Sequence, residues 1–271
     1  MTMIDTGTDQ LLCQVSDGVA LITLNRPDAR NALSDNLTPA LRTMIKERGA
    51  DPDVGALLIT GAGTAFCAGG DVKGMAQSTP KVKMTIEEKV VQLKERQRTL
   101  TGLLHHSPKP TIAALPGPAA GAGLSIALAC DIRIAATSAF ISTGYARVGL
   151  SGDYGIAWLL TNLVGTAKAR ELMYTAERVD SERCEKIGLV NRVVPDGDLQ
   201  AEAWALATKL AKGPRLALRE MKANLNDALE QDFLTALDGE ATRLVPLGRT
   251  ADHKEAVAAF KEKREPKFSG T

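Results

Sequence analysis

The sequence contains few of the residues from which metal centres and disulfide frameworks are built. Its 271 residues include three histidines and four cysteines, and the cysteines lie far apart and form no CxxC pair. Scattered thiols of this kind are typical of a reduced cytoplasmic protein rather than of a disulfide-bonded or zinc-binding one. We therefore predict a cytoplasmic protein without a metal site.

An excess of one charge is also absent, because 33 lysines and arginines nearly balance 32 aspartates and glutamates. A balanced chain lacks the basic surface that binds phosphate backbones, so nucleic acid is not an expected partner. The amino terminus has neither the basic start nor the apolar run of a signal peptide. The weakly polar run at 113–130 is divided by prolines and glycines, so no membrane span is expected.

Short β-rich runs end in turn residues at 19–25, 54–61, 111–115 and 132–136. Stretches of helical character lie between them, which predicts an α/β fold with a largely parallel sheet. The run at 19–25 is apolar on both faces, as in a sheet covered on both sides. Beyond Pro195 the apolar spacing becomes helical. We predict a core over residues 1–199 and a helical carboxyl-terminal region over 200–271.

Two glycine-rich loops occupy 61–71 (GAGTAFCAGGD) and 116–131 (PGPAAGAGLSIALACD). Neither is a phosphate-binding P-loop, because no Lys-Ser or Lys-Thr follows the glycines. Small residues at these positions could simply allow strands and helices to pack closely. Alternatively, backbone N–H groups left free by the two turns could converge on a developing oxyanion.

Acidic residues are scarce in the middle of the chain: between Glu95 and Glu171 only Asp131 and Asp153 occur. Asp131 lies between a helix and a strand, where a structural role is expected. Asp153 lies among small residues in YARVGLSGDYG, at 145–155. It could be the N-cap of the following helix, or a buried carboxyl with a raised pKa that serves as a general acid or base.

Five segments together resemble the enoyl-CoA hydratase/isomerase, or crotonase, superfamily. They are VALITLNRPDARNALS (19–34), FCAGGDVKGM (66–75), KPTIAALPGPAAGAGLSIALACDIRIA (109–135), EKIGLVNRVVP (185–195) and AVAAFKEKREPKF (256–268). The resemblance implies a crotonase-like spiral of strand-strand-helix turns with a helical carboxyl-terminal extension. It also implies a coenzyme A thioester substrate, no separate cofactor, and a homotrimer or homohexamer.

The resemblance also assigns residues to the site. By position, the backbone N–H groups of Ala68 and Gly121 would hold the thioester oxygen. The residues that it assigns to coenzyme A are Arg26, Ala68, Gly70, Phe260 and Lys263. For Arg26 a second interpretation, a surface arginine that pins a turn, is equally open.

The sequence departs from the hydratase pattern at both catalytic glutamates. Water addition requires two carboxylates, but the matching residues here are Ser125 and Tyr145. Asp153 matches the position of a catalytic aspartate in dienoyl-CoA isomerases and of a nucleophilic one in 4-chlorobenzoyl-CoA dehalogenases. The basic histidine of those dehalogenases has no match in KERQRTL, at 94–100.

We therefore predict an acyl-CoA enzyme in which Asp153 transfers protons, with hydroxyls supplied by Tyr145 and Ser125. Isomerisation is favoured over hydration. A thioester hydrolase or dehalogenase with Asp153 as nucleophile, and a non-catalytic acyl-CoA binder, are the alternatives. The pocket wall that selects the acyl group is expected to include residues 76–95.

Overall fold

The structure, a computed structural model, describes residues 1–71 and 84–271. Its strands are β1 (Thr2–Ile4), β2 (Leu11–Ser16), β3 (Val19–Leu24), β4 (Ala56–Gly61), β5 (Thr111–Leu115), β6 (Ala119–Ala120), β7 (Ile132–Ala136), β8 (Phe140–Ser142), β9 (Val179–Asp180) and β10 (Arg192–Val194). Seven of them form one sheet in the order β1-β2-β3-β4-β5-β7-β10. The pairs from β3 to β10 are parallel, which confirms the predicted α/β class.

The helices are α1 (Leu37–Ala50), α2 (Ile86–Gln97), α3 (Leu103–His105), α4 (Ala122–Ala129), α5 (Ile156–Thr175), α6 (Ser181–Lys186), α7 (Leu199–Ala211), α8 (Arg215–Asp227), α9 (Phe233–Leu247) and α10 (Ala251–Glu262). A π-helical stretch, Arg98–Gly102, joins α2 to α3. None of the described helices combines the length and the apolar character needed to cross a membrane.

The large sheet is buried on both faces. Side chains of α1 and α4 pack on one face in the main hydrophobic core. On the other face, α7 packs through Leu199, Ala203, Ala207 and Ala211. These four residues recur at every fourth position, so they form one helical stripe. The boundary expected at residue 200 thus falls at the beginning of a helix that packs directly on the sheet.

The first three strands form an antiparallel meander that the sequence analysis described only at β3. A two-residue turn, Asp17-Gly18, joins β2 to β3, and both residues have positive φ, 53° and 76°. Asp-Gly is the usual sequence for such a turn, because left-handed backbone is least costly for these residues. This dipeptide was the signal that would have revealed the hairpin.

Two strand-strand-helix turns repeat along the chain, as the resemblance implies. The first is β5-β6-α4 and the second is β7-β8-α5. The short strands of these turns leave the large sheet and pair separately, in the order β6-β8-β9. An isolated parallel bridge between Cys67 and Ala119 ties the first glycine-rich loop to β6. The fold therefore brings the two glycine-rich loops together.

The carboxyl-terminal region is helical, as expected. Its stretch of helical apolar spacing forms two separate helices, α8 and α9. After α8 ends at Asp227, the chain turns, and Asp232 begins α9 by accepting hydrogen bonds from the N–H groups of Leu234 and Thr235, both at 3.1 Å. Aspartate is a favoured N-cap because it satisfies N–H groups that have no partner within the helix. Helices α8, α9 and α10 leave many large apolar side chains exposed.

Candidate active site

The first glycine-rich loop is held by a buried asparagine. The Asn31 side-chain amide donates to the carbonyls of Ala62 (3.0 Å) and Ala65 (2.8 Å), and its oxygen accepts from the N–H of Arg26 at 2.8 Å. Gly61 must be glycine, because a Cβ there would lie 2.1 Å from the Ala65 oxygen. Since a buried, fully bonded side chain has few alternative conformations, Asn31 fixes the path of the loop toward Ala68.

The two loops meet at glycines that approach neighbouring backbone closely. A Cβ on Gly69 would lie 2.7 Å from the Ala120 oxygen and 3.3 Å from the Ala122 nitrogen. A Cβ on Gly123 would lie 2.4 Å from the Cys67 oxygen. These positions admit only glycine without movement of the backbone, so the close approach of the loops depends on them.

The two N–H groups expected to form an oxyanion hole are already engaged. The N–H of Ala68 donates to the carbonyl of Arg30 at 2.9 Å, and the N–H of Gly121 donates to that of Ser142 at 3.2 Å. This differs from the expectation that these two N–H groups are free to bind the thioester oxygen. Both N–H groups stabilise the loops themselves.

The neighbouring amides of Gly70 and Ala122 are oriented differently. Within residues 1–71 and 84–271, neither N–H donates to an acceptor. Ala122 is the first residue of α4, and the first N–H groups of a helix have no partner within it. That rule was the signal from which Ala122 could have been found, whereas the sequence analysis named Gly70 only as a coenzyme A contact.

Gly70 and Ala122 line a cavity of about 600 Å³, which Asp153 also lines. A volume of this size is typical of small-molecule sites. The wall includes Leu93 and Arg96 of α2, so the expectation that the segment 76–95 contributes to the pocket holds for its helical part. Residues 76–83 of that segment lie outside the described residues.

Asp153 and Tyr145 form the polar centre of the cavity. The Tyr145 hydroxyl donates to Oδ1 of Asp153 at 2.5 Å. Tyr145 begins a short 3-10 turn between Gly144 and Gly149, which have φ of 74° and 68°. Left-handed backbone of this kind is favourable for glycine, so the two glycines allow the turn that points the tyrosine at the carboxylate.

Ser125, on α4, lies next to Asp153 and contacts its backbone. It is fully buried, and its hydroxyl lies 3.4 Å from the Gly121 carbonyl and 3.3 Å from the Asp153 carbonyl. The structure thus brings together Ser125, Tyr145 and Asp153 as the sequence analysis expected. Ser125 contacts the backbone of Asp153, not its carboxylate.

The environment makes ionisation of both groups harder. Burial raises the pKa of the Asp153 carboxyl above its ordinary value of 3.8, and the hydrogen bond from Tyr145 opposes that shift. Burial also raises the pKa of the Tyr145 hydroxyl, and its bond to Asp153 adds to the effect. Tyr145 therefore remains a hydrogen-bond donor at neutral pH, while Asp153 is the group suited to exchange a proton.

The alternative role of Asp153 as a helix cap has no support in the geometry. Gly155 occupies the N-cap of α5, and no side chain makes a cap hydrogen bond there. The segment is held instead from α2, because the Gln97 side-chain oxygen accepts the N–H of Tyr154 at 2.7 Å. The Asp153 carboxylate is left to face the cavity.

Comparison with known proteins gives this cavity a context. Residues 14–271 match the family described as enoyl-CoA hydratase/isomerase. The chain belongs to this family. It is 36% identical over 264 residues to the 1,2-epoxyphenylacetyl-CoA isomerase of Escherichia coli strain K12, covering 96% of this chain and 98% of that one.

Solved structures of enoyl-CoA hydratases have the same fold. That of Bacillus anthracis is 32% identical with a TM-score of 0.89, covering 97% of this chain and 100% of that one. That of Mycobacterium smegmatis is 31% identical with a TM-score of 0.86, covering 96% and 99%. As a member of the enoyl-CoA hydratase/isomerase family, the protein is an acyl-CoA enzyme with the crotonase fold.

The residues that the resemblance assigned to coenzyme A are dispersed. Arg26 donates to the Ala32 carbonyl at 2.6 Å and pairs with Asp71 at 3.1 Å, contacts that pin its turn. Phe260 is 86% exposed near the end of α10, and Lys263 is exposed just beyond it. Phe260 and Lys263 do not line the cavity, so their contact with coenzyme A stays a prediction.

Asp131 has the structural role that was expected. Its Oδ2 accepts from the backbone N–H of Thr111 at 2.7 Å and from its hydroxyl at 2.9 Å. The Lys222 ammonium, on α8, lies 2.9 Å from the same oxygen. Asp131 therefore ties β5 to the carboxyl-terminal helices and lies outside the cavity.

Proposed function

We propose that the protein is an acyl-CoA double-bond isomerase in which Asp153 moves a proton between two carbons of the acyl chain. The single observation that carries this proposal is the Asp153 carboxylate facing the cavity, held by the Tyr145 hydroxyl at 2.5 Å. Moving a proton from one carbon to another requires only one group that alternates as base and acid.

The backbone N–H groups of Gly70 and Ala122 would bind the thioester oxygen. They lie at the contact between the two glycine-rich loops, and within the described residues they donate to nothing else. Preorganised donors of this type stabilise charge that develops in the transition state, at about 3–4 kcal/mol for one donor. The dipole of α4 adds to the same effect.

The proposed reaction begins with a 3-enoyl-CoA. Asp153 takes a proton from the carbon next to the thioester carbonyl, and the electrons of that C–H bond form an enolate whose oxygen is held by the two amides. The protonated Asp153 then donates the same proton to carbon 4. The double bond moves to the 2,3 position, no atom is gained or lost, and the carboxylate is regenerated.

The carboxylate also has an oxygen suited to this exchange. Tyr145 donates to Oδ1, and among residues 1–71 and 84–271 no group donates to Oδ2. Hydration is disfavoured because it calls for a second carboxylate to activate water, and Ser125 and Tyr145 occupy the two positions where hydratases resembled here have glutamates.

The test is turnover of the purified protein on 2-enoyl-, 3-enoyl- and dienoyl-CoA thioesters, with the conjugated double bond followed by absorbance and the products identified by mass. Isomerisation predicts products of unchanged mass, and in D₂O little deuterium should enter the acyl chain, because Asp153 returns the proton that it removed. Asp153→Asn is the inactive variant, and the exposed Asp9→Asn, remote from the cavity, is its matched control. A product heavier by one water would overturn the proposal in favour of hydration.

Two other activities give different results in the same test. Attack by Asp153 as a nucleophile would release free coenzyme A or halide and would leave a trapped acyl-enzyme on that residue. A non-catalytic binder would retain affinity for acyl-CoA without turnover of any thioester. Mass analysis separates the hydrolase or dehalogenase from the isomerase, and the absorbance of a newly conjugated double bond separates the isomerase from the binder, because both of these leave the mass of the thioester unchanged.

We also propose that the protein assembles as a homotrimer or homohexamer through α8, α9 and α10. Exposed apolar side chains on these helices include Met221, Leu225, Phe233 and Leu244, which are 55%, 70%, 76% and 69% exposed. Extended apolar surface of this kind marks interaction sites. Light scattering should show an oligomer. Leu225→Lys should weaken it, whereas Tyr174→Lys, on the exposed surface of α5, should not.

The cytoplasmic location stays a prediction.

A further inference from the structure

Two arginines line the same cavity as Asp153. Arg42 comes from α1 and Arg96 from α2, and both side chains are partly buried. The two helices are far apart in sequence, so the fold, and not one local motif, brings the guanidinium groups to one wall. Neither is used by the proton transfer described above.

Neither arginine has a partner in the parts of the chain that the structure describes. No hydrogen bond or ion pair joins the side chain of Arg42 or Arg96 to residues 1–71 or 84–271. Asp35, a carboxylate that also lines the cavity, is exposed and forms no ion pair with either one within those ranges. A partly desolvated guanidinium without an anion is unfavourable, which favours a ligand that supplies the anion.

Arg96 immediately precedes Gln97, whose side-chain oxygen accepts the N–H of Tyr154 at 2.7 Å, and Arg42 and Tyr154 line the same cavity. Burial and the charge of Asp153 raise the pKa of the Tyr154 hydroxyl, and Arg96 and Arg42 oppose that shift. Both guanidinium groups are therefore within electrostatic reach of the residue that directly follows the proposed base.

We propose that Arg42 and Arg96 bind a carboxylate at the far end of the acyl group, so that the substrate class is a dicarboxylic acyl-CoA thioester. This inference rests on the proposed function. Guanidinium groups match carboxylates in geometry and bind them by paired, charge-assisted hydrogen bonds. A carboxylate at the far end of the acyl group takes no part in the reaction and acts through binding and orientation of the substrate.

Coenzyme A also carries anions, and its phosphates are the competing source. The pantetheine arm separates those phosphates from the thioester, whereas both arginines line the cavity that Asp153 also lines, and Arg96 is next in sequence to the residue that binds the N–H of Tyr154. The acyl end of the substrate is therefore the favoured source of the anion. The two sources differ in which substrates respond to loss of the arginines.

The experiment compares two 3-enoyl-CoA thioesters of equal acyl length, one ending in a methyl group and one in a carboxylate, over a series of chain lengths. Arg42→Gln and Arg96→Gln should each lower kcat/KM for the carboxylate by about tenfold to a hundredfold, and for the methyl compound by less than about threefold. Arg96→Lys should recover part of the loss. Arg98→Gln, exposed on the following turn, is the matched control.

Equal losses on both thioesters would overturn the proposal and assign the arginines to the coenzyme A phosphates. Unchanged kinetics on every pair would overturn it as well. Affinity for saturated dicarboxylic and monocarboxylic acyl-CoA, measured by calorimetry, separates this inference from the isomerase proposal. If the protein prefers the dicarboxylic compound, loses that preference with the arginines, and turns over no thioester, the dicarboxylic inference is supported and the isomerase proposal is not. If the protein isomerises thioesters without that preference, only the isomerase proposal is supported.

Discussion

The hydroxyl oxygen of Tyr145 lies 2.5 Å from Oδ1 of Asp153, eight positions further along the sequence. One residue occupies a position at which hydratases resembled here have a glutamate, and the other is the carboxylate that faces the cavity. The tyrosine donates and the carboxylate accepts. In the proposed isomerisation Asp153 is the base, and one carboxylate is enough, whereas hydration calls for two.

Replacing Asp153 by asparagine should abolish most of the activity. Asparagine keeps the size of the side chain and can still accept from Tyr145, but it cannot exchange a proton. We expect kcat to fall by about a hundredfold to ten-thousandfold, the usual contribution of general acid–base catalysis. Steady-state kinetics on the best thioester measures the effect, and a kcat within a few-fold of the parent would remove Asp153 from the reaction.

The same substitution should raise stability at neutral pH. Because the folded pKa of Asp153 lies above its ordinary value of 3.8, the folded state binds this proton more tightly than the unfolded state does. Stability of the parent protein is therefore lost as pH rises from the unfolded pKa through the folded pKa. Asp153→Asn lacks this titration.

The measurement is thermal or urea unfolding of the two proteins across pH. The difference between Asp153→Asn and the parent should be largest at neutral pH and should close below pH 3.8, where the parent carboxyl is also neutral. A variant less stable than the parent at neutral pH and equal to it in acid would show that the carboxylate is stabilised by its surroundings.

Removing the tyrosine hydroxyl should move the pH dependence of the reaction. The hydrogen bond from Tyr145 lowers the pKa of Asp153 against the effect of burial. In Tyr145→Phe that contribution is lost, so the pKa of Asp153 rises further. Since the ionised carboxylate is the base, the acid limb of kcat/KM should shift to higher pH. Tyr174→Phe, exposed on α5, should leave the profile unchanged, and a shift to lower pH would contradict the donor role of Tyr145.

The sequence allowed the fold to be predicted where residue types report local geometry. The strands β3, β4, β5 and β7 are short apolar runs that end in turn residues, and each was found within one or two residues. The strands β6, β8 and β9 have two or three residues each. Pairing with strands distant in sequence, rather than their own residues, makes them strands, so local pattern could not reveal them.

Prediction of the site followed the same division. Asp153 was found because it is an isolated acid, and Tyr145 and Ser125 were found by position. The free amides could not be assigned by position alone, because a shift of one or two residues decides whether an N–H donates to a loop carbonyl or to no acceptor in the described residues. Arg42 was missed because α1 and α2 come to one cavity only in the folded chain.

Two proline variants distinguish the amides that line the cavity from those that support the loops. Ala122 is the first residue of α4, where proline is well tolerated because that N–H has no partner in the helix. Ala122→Pro should therefore lower kcat by about a hundredfold or more, the cost of one oxyanion donor, with little change in Tm. Ala68→Pro removes the bond from the Ala68 N–H to the Arg30 carbonyl, so it should lower Tm first, because that carbonyl then loses its donor. Ala122→Pro should retain affinity for free coenzyme A, and measuring that affinity tests whether the proline has blocked the cavity.

The opposite pattern would be loss of kcat in a stable Ala68→Pro variant and retained kcat in Ala122→Pro. That result would assign the oxyanion hole to Ala68 and Gly121, the residues first expected from sequence.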